Sequence, residues 1–251
     1  MMEQTDFCGI LSTFCPTILV KYQEPMASHT SFRIGGPSQA MAFPKDEGEL
    51  SALLALAAKE GWPVRILGAG TNVLAPDEGL AGLTICLKDC LDGMKRVNDR
   101  EIEVMAGVTM TRAAVFAAKN GLSGMEFAHG IPGTVGGGVY MNAGAYGGEI
   151  RQVCSQVTVL TRNGEKKILS NGEMGFSYRH SALEDTGDIV LSARFALTPD
   201  SESAIRERMK ELMAKRSASQ PLDMPSAGSA FKRPVGGYAA ALIDGAGLKG
   251  F

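Results

Sequence analysis

Two residues stand where anion and proton chemistry could be done: the arginine of Ser177-Tyr178-Arg179-His180-Ser181, and Ser229 within Ser226-Ala227-Gly228-Ser229-Ala230-Phe231-Lys232-Arg233-Pro234. A planar guanidinium can grip a carboxylate through two parallel N–H bonds and stabilise charge that develops on it. An arginine exposed on a turn would look the same in sequence. His180 has no carboxylate beside it in the chain and reads as a structural neighbour, not a base. Ser229 lies between small residues, which let a large ligand approach its hydroxyl, and Lys232 and Arg233 follow as cations able to hold phosphate. A loop serine without function is the commoner fate of that residue type. No Gly-x-Ser-x-Gly surrounds it, so a hydrolase nucleophile elbow is excluded.

Both residues need a bound group to act on, and two glycine-rich segments offer a place for one. Residues 127–148, FAHGIPGTVGGGVYMNAGAYGG, carry glycine at 130, 133, 136, 137, 138, 144, 147 and 148. Each costs backbone entropy and buries nothing, so what it offers is close backbone approach or positive φ. Val135, Val139, Tyr140 and Met141 predict a short, tightly packed helix within Thr134–Ala145, entered through Pro132-Gly133. A glycine-lined helix N-terminus offers free N–H groups and a positive dipole end, which suits a phosphate. A glycine-rich surface loop is the plainer alternative, weakened by Tyr140, Met141 and Asn142. The second segment, Gly68-Ala69-Gly70-Thr71-Asn72, follows an expected strand. A dinucleotide fingerprint with Asp89 on a ribose is one reading. Val73 occupies its third glycine position, and Pro76, Gly79 and Gly82 break the helix it requires. A tight loop wrapping a diphosphate with its N–H groups and the Thr71 hydroxyl fits better. A strand-ending turn with no ligand stays open.

The elements that must position these residues follow an α+β pattern. The 251 residues, 45% of them hydrophobic, suffice for one large domain or two ordinary ones. A net charge of −2 gives no global field for nucleic acid or anionic membrane, so an anion must be held locally. Apolar runs such as Leu53 to Ala58 are too short to span a bilayer, and no secretory signal is seen. Cysteines 8, 15, 86, 90 and 154 are scattered, without a second pair or a nearby histidine. No metal site is therefore expected, and a reduced cytoplasm fits best. Residues 1–24 show no period and are expected to be partly disordered. Thr30–Pro37 reads as a strand-like pair with a turn. Strands are expected at Gln39–Phe43, Val64–Leu67, Leu83–Leu87, Glu101–Ala106 and Asp188–Leu197, with a Val153–Leu160 and Glu165–Leu169 hairpin through Arg162-Asn163-Gly164. A helix should run from Asp46 to Lys59, with Leu50, Leu53, Leu54 and Ala57 inward and Gly61 as its stop. Others should cover Thr109–Asn120 and Ser203–Lys215, and one should begin at Tyr238.

Taken in order, Thr30–Gly36 (TSFRIGG), Leu67–Leu74 (LGAGTNVL), Phe127–Gly147, Ser177–Ser181 (SYRHS) and Gln220–Pro234 (QPLDMPSAGSAFKRP) resemble the motifs of the UDP-N-acetylenolpyruvoylglucosamine reductases, flavoenzymes of peptidoglycan synthesis. The resemblance implies an N-terminal extension (1–24) and two α+β FAD-binding subdomains of the vanillyl-alcohol oxidase type (25–90 and 91–199). A partial substrate domain (200–251) would follow. It implies noncovalent FAD held by Gly68, Ala69, Gly70, Thr71 and Asn72, and by Gly130, Ile131, Pro132, Gly133, Thr134, Gly136, Gly137, Asn142, Ala143, Gly144, Ala145 and Tyr146. His129 is the residue at which covalent attachment should be checked. NADPH would donate hydride, and UDP-N-acetylglucosamine enolpyruvate would be reduced to UDP-N-acetylmuramate. Arg179 would bind the substrate carboxylate and Ser229 would donate a proton, with Tyr178, Lys232 and Arg233 at the substrate. Arg233 stands where many relatives carry asparagine. The short Ser181-to-Val190 connection resembles the subgroup that lacks a long insertion. A cytoplasmic monomer serving cell-wall synthesis, and with it cell shape and division, is implied. The family carries a further catalytic glutamate beyond Leu248-Lys249-Gly250-Phe251, so a polypeptide that holds FAD but reduces substrate poorly or not at all is expected. A non-catalytic flavin-binding remnant and another FAD-dependent oxidoreductase of this fold are the alternatives. The serine–arginine pair argues against the latter, since many such oxidases carry a histidine or cysteine attached to the flavin.

Overall fold

The computed structural model describes residues 4–88 and 90–250; Asp89, considered above for a ribose contact, and Phe251 lie outside the described residues. Where partial disorder is expected, the chain forms helix α1 (Gln4–Phe14) and strand β1 (Leu19–Pro25). The inward face of the helix is Phe7, Ile10 and Leu11, a helical stripe too short to stand out in the sequence. Phe7 packs on Trp62 with ring centroids 4.0 Å apart, and Leu11 is fully buried. So short a helix persists through such packing, not through propensity. Leu11→Ala is expected to cost about 2–5 kcal/mol, seen as a lower urea midpoint. A parent-like midpoint would remove α1 from the cooperative unit.

Strand β2 (Pro37–Phe43) pairs antiparallel with β1, Leu19 opposite Phe43. Helix α2 (Glu47–Glu60) begins at Asp46, whose carboxylate accepts the Glu49 N–H at 2.9 Å, and ends at Gly61 in the left-handed region. Both ends are thus satisfied as its sequence predicts. Strands β3 (Val64–Leu67) and β4 (Leu80–Cys86) run parallel, and β4 runs parallel to β2, giving the order β1-β2-β4-β3. Leu50, Leu53, Leu54 and Ala57 of α2 share a core with Ala40, Ala42, Leu83 and Ile85. Residues 30–36 form no strand. They cross as a loop, with Ser31 N–H bonded to Gly70 O and Gly36 N–H to Pro76 O. A Cβ on Gly36 would come 2.0 Å from Asp77 O, so this loop lies backbone on backbone, where a pleated strand has no room.

The second sheet follows. Strands β5 (Met94–Arg96) and β6 (Glu101–Met105) lead to α3 (Met110–Lys119), the short β7 (Leu122–Ser123) and α4 (Val135–Tyr140). The ribbon β8 (Gly144–Ala145) and β9 (Gly148–Glu149) precedes the hairpin β10 (Cys154–Leu160) and β11 (Lys166–Ser170). Helix α5 (Leu183–Thr186), strand β12 (Ile189–Ala196) and the short β13 (Thr198–Pro199) come next. Five of these strands form an antiparallel sheet in the order β11-β10-β12-β6-β5. Helix α4 is shorter than the Thr134–Ala145 expectation and lies against β12 and β6. Its glycines serve this approach: a Cβ on Gly136 would be 3.0 Å from Ala106 Cβ, and one on Gly138 would be 2.7 Å from Met110 Sδ.

Helix α6 (Glu202–Ser219) docks through Ile205 and Met209. Arg208 reaches Glu126 at 2.8 Å and Asp200 at 2.7 Å. Burial would raise the Glu126 carboxyl, but hydrogen bonds from Arg208, the backbone and Ser123 outweigh it and hold the group below the usual carboxylate range. Beyond α6 a long loop leads to α7 (Ala239–Gly245), and no residue from 220 to 250 is buried.

Candidate active site

The two glycine segments touch. The 68–72 loop leaves the carboxyl end of β3, and Thr134 caps α4. Thr71 Oγ1 donates to Pro132 O at 3.2 Å. A Cβ on Gly68 would lie 2.6 Å from Thr134 Oγ1, and one on Gly133 would lie 3.2 Å from Thr71 Oγ1. Gly70 has φ +63°, and its Cβ would meet His29 O at 2.0 Å. Gly70→Ala therefore combines backbone strain with overlap. It is expected to cost more than about 1 kcal/mol of stability and at least about tenfold in flavin affinity, since the loop must move. Flavin titration and urea denaturation measure the two; parent-like values in both would refute this.

The expected phosphate site at the α4 N-terminus needs correction. The N–H groups of Val135 and Gly136 are bonded to Val108 O at 2.7 Å and Ala106 O at 2.9 Å, and Gly137 N–H is bonded to Thr134 Oγ1 at 3.4 Å. The helix end is closed by the β6–α3 connection because α4 lies so near the sheet. The free donors are elsewhere. Among the described residues, the N–H groups of 68–72, Gly133 and Thr134 donate to no protein group. Beside Gly68 and Ala69 lies a cavity of about 200 Å³, lined also by Ser28, His29, Thr30, Ser31, Cys86 and Lys88. Free backbone donors, hydroxyls and an ammonium suit a dinucleotide diphosphate. Lys88 and Ser28 were not singled out in the sequence. The usable signal was that β3 and β4 are parallel, so their carboxyl ends converge where open sheets bind ligands.

Other residues assigned to the cofactor turn elsewhere. Gly130 backs onto α6, its Cβ position 3.1 Å from Arg216 Cδ, and Ile131 packs against the core. Ala143 N–H bonds to Gly138 O, and Ala145 pairs with Gly148 across the β8–β9 ribbon, whose turn includes Tyr146 at φ +53°. His129 lines a separate cavity of about 450 Å³ between α3 and α6, with Val115, Arg206 and Met209. Burial, and secondarily Arg206, hold its imidazole below the usual range. Burial also pushes the Cys154 thiol up to about 12 and the Cys90 thiol up to about 11, so neither is a nucleophile at neutral pH.

Arg179 occupies a tight turn in which Ser177 and His180 exchange both backbone hydrogen bonds. Its φ is +56°, at a position that usually goes to glycine or asparagine. Its Nη2 donates to Gly144 O at 3.0 Å, and the guanidinium lies 5.2 Å from the centre of the Tyr178 ring. His180 does have a carboxylate partner: Nδ1 is 3.0 Å from Glu184 Oε2, four residues on and so not adjacent in the chain. The Tyr178 hydroxyl accepts the Arg233 N–H at 3.3 Å. At the other end of that loop, Ser226 N–H donates to Ser31 O at 3.2 Å, and Ser31 Oγ donates to Ser226 O at 2.6 Å. Residues 226–233 thus span from the loop beside Gly70 to the Arg179 turn, with Ser229 and Lys232 exposed on the span. The Arg233 guanidinium is engaged locally, donating to Gly237 O and lying over Tyr238.

Comparisons with known proteins give the family and the fold. A family model described as FAD binding domain matches residues 38–170, and one described as UDP-N-acetylenolpyruvoylglucosamine reductase, C-terminal domain, matches 220–251. A UDP-N-acetylenolpyruvoylglucosamine reductase of Lactobacillus helveticus is 46% identical over 93% of this chain and 78% of its own length. One of Agathobacter rectalis is 45% identical over 100% and 82%. The crystal structure of the Thermus caldophilus UDP-N-acetylenolpyruvylglucosamine reductase superposes with a TM-score of 0.78 at 34% identity, covering 93% of this chain and 82% of that one. A BBE-like protein of Physcomitrella patens, at 14% identity and TM-score 0.58 over 77% of this chain and 44% of that one, shares the fold alone. That fold is the α+β FAD-binding fold of the vanillyl-alcohol oxidase type. On identities of this size over nearly the whole chain, the protein belongs to the UDP-N-acetylenolpyruvoylglucosamine reductase family.

Proposed function

We propose that this protein reduces the enolpyruvyl group of UDP-N-acetylglucosamine enolpyruvate to give UDP-N-acetylmuramate, with noncovalent FAD as cofactor and NADPH as donor. The observation that carries the reading is the Tyr178–Arg233 contact, which brings the far end of the serine loop to the arginine turn, its near end being held at Ser31 beside Gly70. Bound FAD supplies two-electron chemistry between the nicotinamide and the β-carbon of the enolpyruvyl group. The free N–H groups of 68–72 would hold the diphosphate of FAD, while the Thr71 hydroxyl, which donates to Pro132 O, ties that loop to the second glycine segment. Arg179 grips the substrate carboxylate and strengthens its hold as negative charge spreads onto it from the α-carbon. Ser229 gives its proton to that α-carbon. A hydroxyl is a poor acid in water, so it works here against a strongly basic carbanion with solvent excluded. Tyr178 orients the arginine, and Lys232 would meet the nucleotide diphosphate, as would Arg233 once its guanidinium leaves Gly237 O and Tyr238.

In this reading residues 25–90 and 91–199 embrace FAD, and 200–251 contribute to the substrate side. We place the reaction in the cytoplasm of a monomeric enzyme of cell-wall synthesis. None of the five cysteines is in a disulfide, and among the described residues no helix is long and apolar enough to cross a membrane. The test is spectral. The purified protein should be yellow, lose its colour to acid precipitation, and bleach with NADPH. The colour should return anaerobically on adding UDP-N-acetylglucosamine enolpyruvate and not on adding UDP-N-acetylglucosamine. A flavin that stays bleached with the enolpyruvyl substrate, followed for hours, would overturn the proposal.

A further inference from the structure

Arg179 does not hold its left-handed backbone unaided. Such a conformation in a residue with a Cβ persists when its surroundings over-determine it. Two fully buried side chains do so, one at each end of the turn. Asn142 donates from Nδ2 to Ser177 O at 2.9 Å, and Ser181 donates from Oγ to Tyr140 O at 2.7 Å. Both bonds join the turn to the same segment, residues 140–144, whose Gly144 carbonyl accepts from the Arg179 guanidinium.

Both donor hydrogens of Asn142 are used within the protein. Its second Nδ2 hydrogen goes to Glu149 Oε2 at 3.1 Å, and its Oδ1 accepts the Arg151 N–H at 2.9 Å. An amide has two donor hydrogens, and both are taken, so none is left for a cofactor. Its backbone, at φ +42°, turns the chain out of α4 and so aims the amide at the arginine turn. A residue that the family resemblance places on the flavin thus has its side chain on the arginine turn instead.

We propose that Asn142 and Ser181 form a two-point clamp that presents the Arg179 guanidinium to the substrate carboxylate. Both are positioning residues, and neither touches the reacting atoms. The inference rests on the function proposed above. It also links the two halves of the site, because the segment that leaves the glycine-rich helix sets the geometry of carboxylate recognition.

The test uses two ligands that differ in a carboxylate. The FAD-loaded full chain is titrated calorimetrically with UDP-N-acetylmuramate, which has the carboxylate, and with UDP-N-acetylglucosamine, which lacks it. Asn142→Ala and Ser181→Ala are each expected to weaken the former about tenfold, as loss of one buried hydrogen bond would, while the latter changes by less than about threefold. Neither should weaken it further in an Arg179→Ala background, because the clamp acts through that arginine. Trypsin offers a readout that needs no ligand: cleavage of the Arg179–His180 bond should speed up about tenfold or more in each clamp variant, as the turn opens more often. Should Asn142→Ala fail to fold, Ser181→Ala carries the test. If Arg179→Ala keeps the preference for the carboxylate ligand, the assigned role of Arg179 fails, and the trypsin result alone judges the clamp. If Arg179→Ala loses that preference while the clamp variants bind both ligands and resist trypsin like the parent, the clamp is refuted.

Discussion

Ser229→Ala is expected to slow substrate-driven reoxidation of the reduced flavin by about 10²–10⁴-fold, the usual worth of a positioned general acid. Bleaching by NADPH should stay within about threefold of the parent, because that half-reaction protonates no carbon and needs no acid at this position. The argument depends on where the loop is held. Ser226 is bonded to Ser31 at one end and Arg233 to Tyr178 at the other, so Ser229 is carried on a span with two fixed ends. Between the two fixed ends Ser229 is the sole hydroxyl: the side chains of Ala227, Gly228, Ala230 and Phe231 cannot donate, and Lys232 would bring a full charge. Ser229→Cys, which keeps a donor, should recover part of the rate. Stopped-flow absorbance measures both half-reactions. Equal slowing of the two would assign Ser229 to folding or flavin seating instead of proton donation.

Arg179→Ala should reduce the same reoxidation step by about 10²–10³-fold, comparable to the loss of one preorganised donor to a developing oxyanion. Affinity for a ligand without a carboxylate should be nearly unchanged. Arg179→Lys keeps the charge but loses the planar fork, so it should recover only a small part of the activity. The turn sharpens this expectation. A lysine must also adopt φ +56°, and its single ammonium cannot both donate to Gly144 O and meet a carboxylate in two-point fashion. A lysine variant as fast as the parent would show that charge alone suffices.

Much of the architecture was legible in the residues. The α2 helix announced itself through Asp46, its inward leucines and Gly61, and each is used as its chemistry suggests. The β10–β11 hairpin followed from Arg162-Asn163-Gly164. The failures share one cause, namely contacts made between distant backbones. Residues 30–36 carry strand-like side chains, yet their hydrogen bonds go to Gly70 and Pro76, which no local pattern encodes. The α4 N-terminus looked like a phosphate site because its glycines were visible. The carbonyls of Ala106 and Val108 that close it belong to another strand connection. Helix α1 docks through Phe7, Ile10 and Leu11, a stripe of under two turns that is too short to stand out as a period. The site followed the same rule. Arg179 and Ser229 stood out by residue type, whereas Asn142 looked like a cofactor ligand until its partner Ser177, 35 residues away in sequence, was in view.

The pairing of Phe7 with Trp62 gives the molecule an optical handle. Trp62 is the sole indole of the chain, and it stacks where α1 meets the first sheet. Its emission therefore reports detachment of the amino-terminal helix, while emission of bound flavin would report release of the cofactor. If the two signals separate on heating, the protein loosens in stages; if they coincide, both regions belong to one cooperative transition.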